Sequence, residues 1–245
     1  MGQMIATTFA DSGDLEVVAV VDPQRPTGST SATWCASIDE LSPDSVDVVV
    51  DFSNLAVAER TLGWCLAHGV AVVVGTSGLG GEALTSWSEQ FFSAGGHALV
   101  AANFSIGAVL AERFAAQAAP YFDRVEIVEM HHDQKVDAPS GTSMATARQI
   151  AAARRRAGLA PLVDPTQRES IPHARGADGG DGVRIHSVRL PGLVAHQETM
   201  FARPGEGLTI RHDSYDRESF MSGVTLAVRS VRARPGLTVG IDELV

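Results

Sequence analysis

Cysteine is nearly absent. Cys35 and Cys65 are the only two among 245 residues and form no CxxC pair. This excludes a disulfide scaffold and predicts two reduced, packed thiols of a cytosolic protein. No run of about 20 apolar residues occurs, so no membrane-spanning helix is predicted. The first twenty residues carry Asp11, Asp14 and Glu16 without a basic stretch, which excludes a secretory signal. Ala6 stands where N-myristoylation needs Ser or Thr. Positive charge is short: 19 Lys and Arg face 29 Asp and Glu, a formal net charge of −10. A nucleic-acid binder needs a basic face, so that class is set aside. An anionic small molecule stays open, because local fields outweigh net charge. The expectation is a soluble cytoplasmic chain with neither nucleic acid nor membrane as partner.

There is enough apolar material (44% of residues) for one large domain or two small ones with their own cores. The first half alternates short apolar runs with amphipathic stretches, the pattern of βαβ units around a parallel sheet. Strands are predicted at 15–21, 46–52, 71–74 and 97–101, and helices at 56–67, 82–93 and 106–119. Beyond Pro120 the texture changes. Residues 125–132 alternate as a half-exposed strand does, and a helix runs from Ser140 to about Ala157. Residues 159–182, rich in Pro, Gly and charge, read as a long loop. Strands of a mixed or antiparallel sheet follow at 183–190, 193–202 and 207–212, then a helix at 217–233. The partition is a dinucleotide-type α/β domain (1–104) and an α+β domain (105–215).

The densest chemistry lies in Glu129-Met130-His131-His132-Asp133-Gln134-Lys135-Val136-Asp137-Ala138-Pro139-Ser140-Gly141-Thr142. Two histidines and a lysine fall within five residues at a strand end, where sites are commonly built. Histidine exchanges protons near neutral pH, and lysine supplies positive charge or a proton. Neighbouring strand residues point to opposite faces, so His131 and His132 share a pocket only if the strand breaks there. Taken alone, the histidines also fit a solvated strand end. A zinc site fits poorly, since no carboxylate stands at ligand spacing, and no metal is expected. Pro139-Ser140-Gly141-Thr142 adds a further element. Ser140 is a good N-cap, and Gly141, Thr142 and Ser143 then offer free N–H groups to an anion. Gly141 lets a ligand approach the backbone, and Arg154, Arg155 and Arg156 suit the opposite pole of the helix. A cationic loop beside an anion cradle suits a carboxylate substrate.

Two loops after predicted parallel strands, Gly75-Thr76-Ser77-Gly78 and Ala101-Ala102-Asn103-Phe104, lie where open α/β sheets bind ligands. Each alone is an ordinary βα turn. Asp22 closes the first predicted strand, where an acid often meets ribose hydroxyls, or else is a turn residue before Pro23. His173, His186, His196 and His212 read as structural. Arg175-Gly176 is one further place to look for a carboxylate contact.

The segment Glu129–Thr142 resembles the signature E-x-H-H-x-x-K-x-D-A-P-S-G-T of the dihydrodipicolinate reductase family. Val50-Asp51-Phe52-Ser53, Gly75–Gly78, Val100–Gly107 and the run from Val188-Arg189 through Gly192 are similar to family segments too. The resemblance covers essentially the whole chain and is strongest to the actinobacterial branch. It implies a Rossmann-like parallel-sheet domain, to which residues 216–245 return, and an α+β substrate-binding and oligomerisation domain with a mixed sheet. The implied activity is NADH- or NADPH-dependent reduction of 4-hydroxy-tetrahydrodipicolinate, with loss of water, in lysine and diaminopimelate biosynthesis. By the same resemblance His131 is the general acid/base and Lys135 a proton donor. His132, Ser140, Gly141 and Thr142 hold the carboxylates of a cyclic dicarboxylate. Met1, Asp22, Gly75, Thr76, Ser77, Ala101, Ala102, Asn103 and Phe104 line the cofactor, and the assembly is a homotetramer.

The departure is at the start. Family members open with a strand and a glycine-rich turn resembling G-A-x-G-R-M-G, and Met1-Gly2-Gln3-Met4 matches only its tail. The expectation is an N-terminally truncated chain that begins inside the first helix, with the true start about ten residues upstream. Two other readings remain: a catalytically impaired binding or regulatory protein on the same scaffold, and a nicotinamide oxidoreductase acting on a sugar or amino acid. Asp22 favours NADH by repelling a 2′-phosphate, whereas Arg25 is placed to accept one.

Overall fold

The computed structural model describes residues 1–25, 31–76 and 78–245. The chain divides into two units, Met1–Ile106 with Glu218–Val245, and Gly107–Arg217.

In the first unit, α1 (Gly2–Ala10) buries Ile5 and Phe9. Two parallel strands, β1 (Ala19–Val21) and β2 (Thr33–Cys35), pair with each other. A four-stranded parallel sheet has the order β11-β5-β4-β3, from Gly236–Val239, His97–Val100, Ala71–Val74 and Val48–Asp51. All four residues of β4 are buried, as expected of a central strand covered on both faces. The helices α2 (Leu55–His68) and α3 (Gly81–Ala94) end at Gly69 and Gly95 in the left-handed region (φ 69° and 64°), where glycine avoids the Cβ clash. The Asn54 side chain caps α2 by accepting from the Val57 N–H. The core joins Leu62, Cys65, Val72, Val74, Phe91 and Val100. Burial pushes the Cys65 thiol up to about 12, which makes it inert at neutral pH.

In the second unit, α4 (Ile106–Ala118) leads into a five-stranded mixed sheet of order β10-β9-β6-β8-β7. Its strands are β6 (Arg124–His131), β7 (Ala177–Asp178), β8 (Arg184–Arg189), β9 (Ala195–Arg203) and β10 (Glu206–Ser214). Central β6 runs parallel to β8 and antiparallel to β9. The helix α5 (Gly141–Arg156) packs Ala147 and Ile150 into a core with Ile127, Ile185 and Phe201.

Several expected bounds shift. The strand expected at 15–21 is confined to Ala19–Val21, and the helix expected at 217–233 becomes a 3-10 turn at Arg217–Phe220 followed by α6 (Met221–Val231). The short strands β2, β7 and β11 fall where the sequence predicted none.

Candidate active site

Alternation along β6 turns Val125, Ile127 and Glu129 to the covered face. Two are apolar, as that face demands, but the third is a carboxylate with no solvent exposure. A buried charge is costly unless paired and hydrogen-bonded, and Glu129 is fully engaged. Its Oε2 accepts from His131 Nδ1 (2.5 Å) and Arg189 Nη1 (2.9 Å). Its Oε1 accepts from Arg189 Nη2 (2.8 Å) and the Ser140 N–H (3.2 Å). Burial alone would raise its pKa; hydrogen bonds from His131, Arg189 and Ser187 outweigh that and bring it down to about 2.

The strand ends at His131, and a turn closed by Lys135 N–H donating to the His132 carbonyl (3.2 Å) follows. That break is what a shared pocket for the two histidines required. His132 is exposed. Lys135 Nζ donates to Asp137 Oδ1 (2.7 Å) and holds that carboxyl below its usual range. Lys135 is also the only lysine; the other 18 basic residues are arginine. Arginine is a fixed cation that does not release its proton, whereas lysine can. Lys135 is thus the one lysine or arginine side chain in the chain able to release its proton.

The peptide before Pro139 is cis, and Ser140 caps α5 as expected, its Oγ accepting from the Ser143 N–H (3.2 Å). This corrects one expectation. The Ser143 N–H is spent on the cap and is not free for a ligand, leaving those of Gly141 and Thr142. A Cβ placed on Gly141 would meet nothing within 4 Å, so local packing does not demand glycine there. Beneath the turn runs a buried polar chain. Ser140 Oγ lies 2.7 Å from Ser143 Oγ, which donates to Gln197 Oε1 (2.8 Å), whose Nε2 donates to Thr146 Oγ1 (3.0 Å). Glu129, Arg189 and Gln197 received no role from the sequence. The signal for Glu129 was a carboxylate in register with the apolar face.

His131, Lys135, Ser140, Gly141 and Thr142 are thus tied into one hydrogen-bonded segment, with His132 in its turn. Arg175 is engaged elsewhere, paired with Glu126 and Asp164. His186 is held by Glu126 and His196 by Asp213.

In the first unit, the ends of β3, β4 and β5 are knit together. Asp51 is buried and accepts from Ser53, Thr61 and Thr76 hydroxyls (2.6, 2.7 and 3.3 Å). The Ala101 N–H donates to the Val74 carbonyl (3.0 Å), and Asn103 Oδ1 accepts from the Ser105 N–H. The Phe52 ring lies 5.3 Å from that of Phe104. Gly75 is required here, since a Cβ would stand 2.1 Å from the Phe52 ring. Gly75, Thr76 and Ala101–Phe104 therefore converge. Ser77 lies outside the described residues. Asp22 is exposed at the end of β1, where Oδ1 accepts from the Gln24 N–H (2.8 Å). Met1 sits at the start of α1, its carbonyl accepting from Ile5. Neither is joined to the β3–β5 cluster by a hydrogen bond among the described residues. The exposed Asp22 carboxylate and the clustered strand-end backbone fit a nicotinamide dinucleotide, whose ribose hydroxyls seek an acceptor.

A parallel α/β unit with such strand ends, and a second unit carrying a histidine, a lysine and a helix N-terminus, define a nicotinamide-dependent oxidoreductase. Residues 1–104 match the family model described as dihydrodipicolinate reductase, N-terminus, and residues 107–245 that for its C-terminus. The chain is similar to 4-hydroxy-tetrahydrodipicolinate reductases from Corynebacterium aurimucosum (45% identity, 99% of this chain, 93% of that one) and Nocardia farcinica (47%, 100% and 94%). It also resembles the dipicolinate-bound dihydrodipicolinate reductase from Paenisporosarcina sp. TG-14, with TM-score 0.87, 39% identity and coverage of 100% and 95%. The chain belongs to the dihydrodipicolinate reductase family.

Proposed function

We propose that this chain reduces 4-hydroxy-tetrahydrodipicolinate to tetrahydrodipicolinate, consuming NADH or NADPH and one proton and releasing water and the oxidised cofactor. The observation that carries the reading is the wiring of Glu129–Thr142, which joins a proton-exchanging imidazole, the only lysine and a helix N-terminus. When bound, the cofactor supplies the hydride. The N–H groups of Gly141 and Thr142, the Ser140 cap and His132 hold the substrate carboxylates, assisted by the positive pole of α5. His131 acts as general acid/base, and Lys135 leaves Asp137 to meet a carboxylate or deliver the proton that follows the hydride. Asp22, Gly75, Thr76, Ser77, Ala101, Ala102, Asn103 and Phe104, with Met1, are the residues assigned to the cofactor.

The reading extends to a homotetramer built on the second unit. Its support is the nine-residue edge strand β10, which among the described residues pairs with β9 alone and exposes Leu208; long open edges of this kind are normally covered. Among the described residues no helix is long and apolar enough to cross a membrane, and the proposed setting is the cytoplasm. The test is oxidation of NADH and NADPH by the purified chain with freshly prepared 4-hydroxy-tetrahydrodipicolinate. Turnover dependent on the dicarboxylate supports the reading; its absence with both cofactors overturns it.

A further inference from the structure

We infer that Glu129 is a positioning residue that holds His131 as the Nδ1–H tautomer, making Nε2 the nitrogen that exchanges the substrate's proton, and that fixes this imidazole relative to the first turn of α5. The inference rests on the proposed function and deepens it. An ionised carboxylate only accepts hydrogen bonds, so the 2.5 Å contact requires His131 Nδ1 to be the donor. The proton on Nδ1 is then committed, and Nε2 is left to carry the lone pair or the exchangeable proton. The other Glu129 oxygen holds the Ser140 N–H, the residue that opens α5. One rigid carboxylate therefore spans the acid/base group and the carboxylate cradle, and any shift of Glu129 moves both.

The surroundings keep Glu129 ionised and still. Arg189 of β8 grips both oxygens, and its Nη2 also donates to the Asp137 carbonyl (2.8 Å), tying in the loop that carries Lys135. From α5 and β9 come the uncharged Ser140, Ser143 and Gln197, while the charged groups linked to Glu129 are His131 and Arg189, with Lys135 and Asp137 joined through the Arg189 contact to the Asp137 carbonyl. A carboxylate that orients an imidazole in this way removes the unproductive tautomer.

The test begins with 15N-histidine NMR of the unaltered chain, with the His131 signals assigned by their loss in His131→Gln. The expected result is a protonated Nδ1 and an unprotonated Nε2 in the neutral form. A dominant Nε2–H tautomer overturns the inference. Kinetically, Glu129→Gln is expected to lower kcat about 10²-fold, within the range of acid/base contributions, while KM changes about threefold or less. Glu129→Asp should fall between. In the His131→Gln background Glu129→Gln should cost nothing further. A full 10²-fold additional loss there, or an unchanged kcat in the single variant, overturns the positioning role. A wild-type chain without turnover would overturn the functional reading and the kinetic half of this one, while the tautomer still decides the geometric half.

Discussion

At the ends of β3, β4 and β5 in the first unit the candidate contacts are backbone groups with small or aromatic side chains, whereas in the second unit ionisable side chains wired into a buried polar network stand beside the backbone N–H groups of Gly141 and Thr142. The difference fits what each is proposed to hold. A dinucleotide offers hydroxyls and phosphates to backbone donors, and a backbone donor survives most substitutions. A small dicarboxylate that must also receive a proton needs side chains of particular chemistry at fixed distances. Fixing them in a buried setting takes a network of mutual hydrogen bonds. Single substitutions should therefore act strongly in the second unit and weakly in the first.

The largest effect is expected at the imidazole. His131→Ala should lower kcat by about 10³-fold, within the usual span for general acid/base catalysis, while NADH affinity measured by calorimetry stays within about twofold. Equal losses in both would erase the contrast between the units.

Next is the acid response of the buried carboxylate. The folded-state pKa of Glu129, about 2, lies below its ordinary 4.5. Its contribution to stability is fully present above the unfolded value and is lost as pH falls from about 4.5 towards 2. Denaturation curves of wild type and Glu129→Gln should converge over that window. A stability gap that stays constant there would remove the claim that the charge is what the network holds.

Gly141→Ala separates ligand room from folding. Alanine in the first turn should leave stability equal or raise it by up to about 1 kcal/mol, since nothing crowds that Cβ. Affinity for dipicolinate should fall about tenfold, roughly the 1.4 kcal/mol expected from hindering close backbone approach. Unchanged affinity would move the carboxylates elsewhere.

The smallest effect belongs to the first unit. Asp22→Ala should weaken NADH binding a fewfold, on the order of one hydrogen-bonding group, and NADPH binding less. A much tighter NADPH affinity in the unaltered chain would mean that Asp22 does not dominate the choice and that Arg25 does.

Much of the architecture was legible because long elements carry strong periodicity. Leu55–His68 and Gly141–Arg156 have clear N-caps, and four valines and alanines at 71–74 can only be a buried strand. What escaped was short. Gly236–Val239 pairs along β5, yet four residues that open on one glycine and are followed by another carry too little pattern to separate strand from turn. The segment Glu129–Thr142 stood out because its residue types are dense and its spacing is specific. Glu129 itself passed unassigned, since a carboxylate in a strand is ordinarily solvent-facing and only its register on the apolar face betrays burial. Arg189 and Gln197 lie 60 and 54 residues in sequence from the Glu129 and Ser143 they meet, brought there by the pairing of β6 with β8 and β9 and the packing of α5. No local signal encodes that meeting.

The central claim is that the dicarboxylate lands on the segment carrying His131 and Lys135, and the single lysine gives a direct way to see it. Reductive 13C-methylation labels two kinds of amine in this chain, Lys135 and the N-terminus, and titration with dipicolinate can be followed by NMR. The account predicts that the Lys135 resonance shifts with the same affinity that calorimetry reports, as its ammonium leaves Asp137 for the ligand. Saturable dipicolinate binding with the Lys135 resonance unmoved would contradict it.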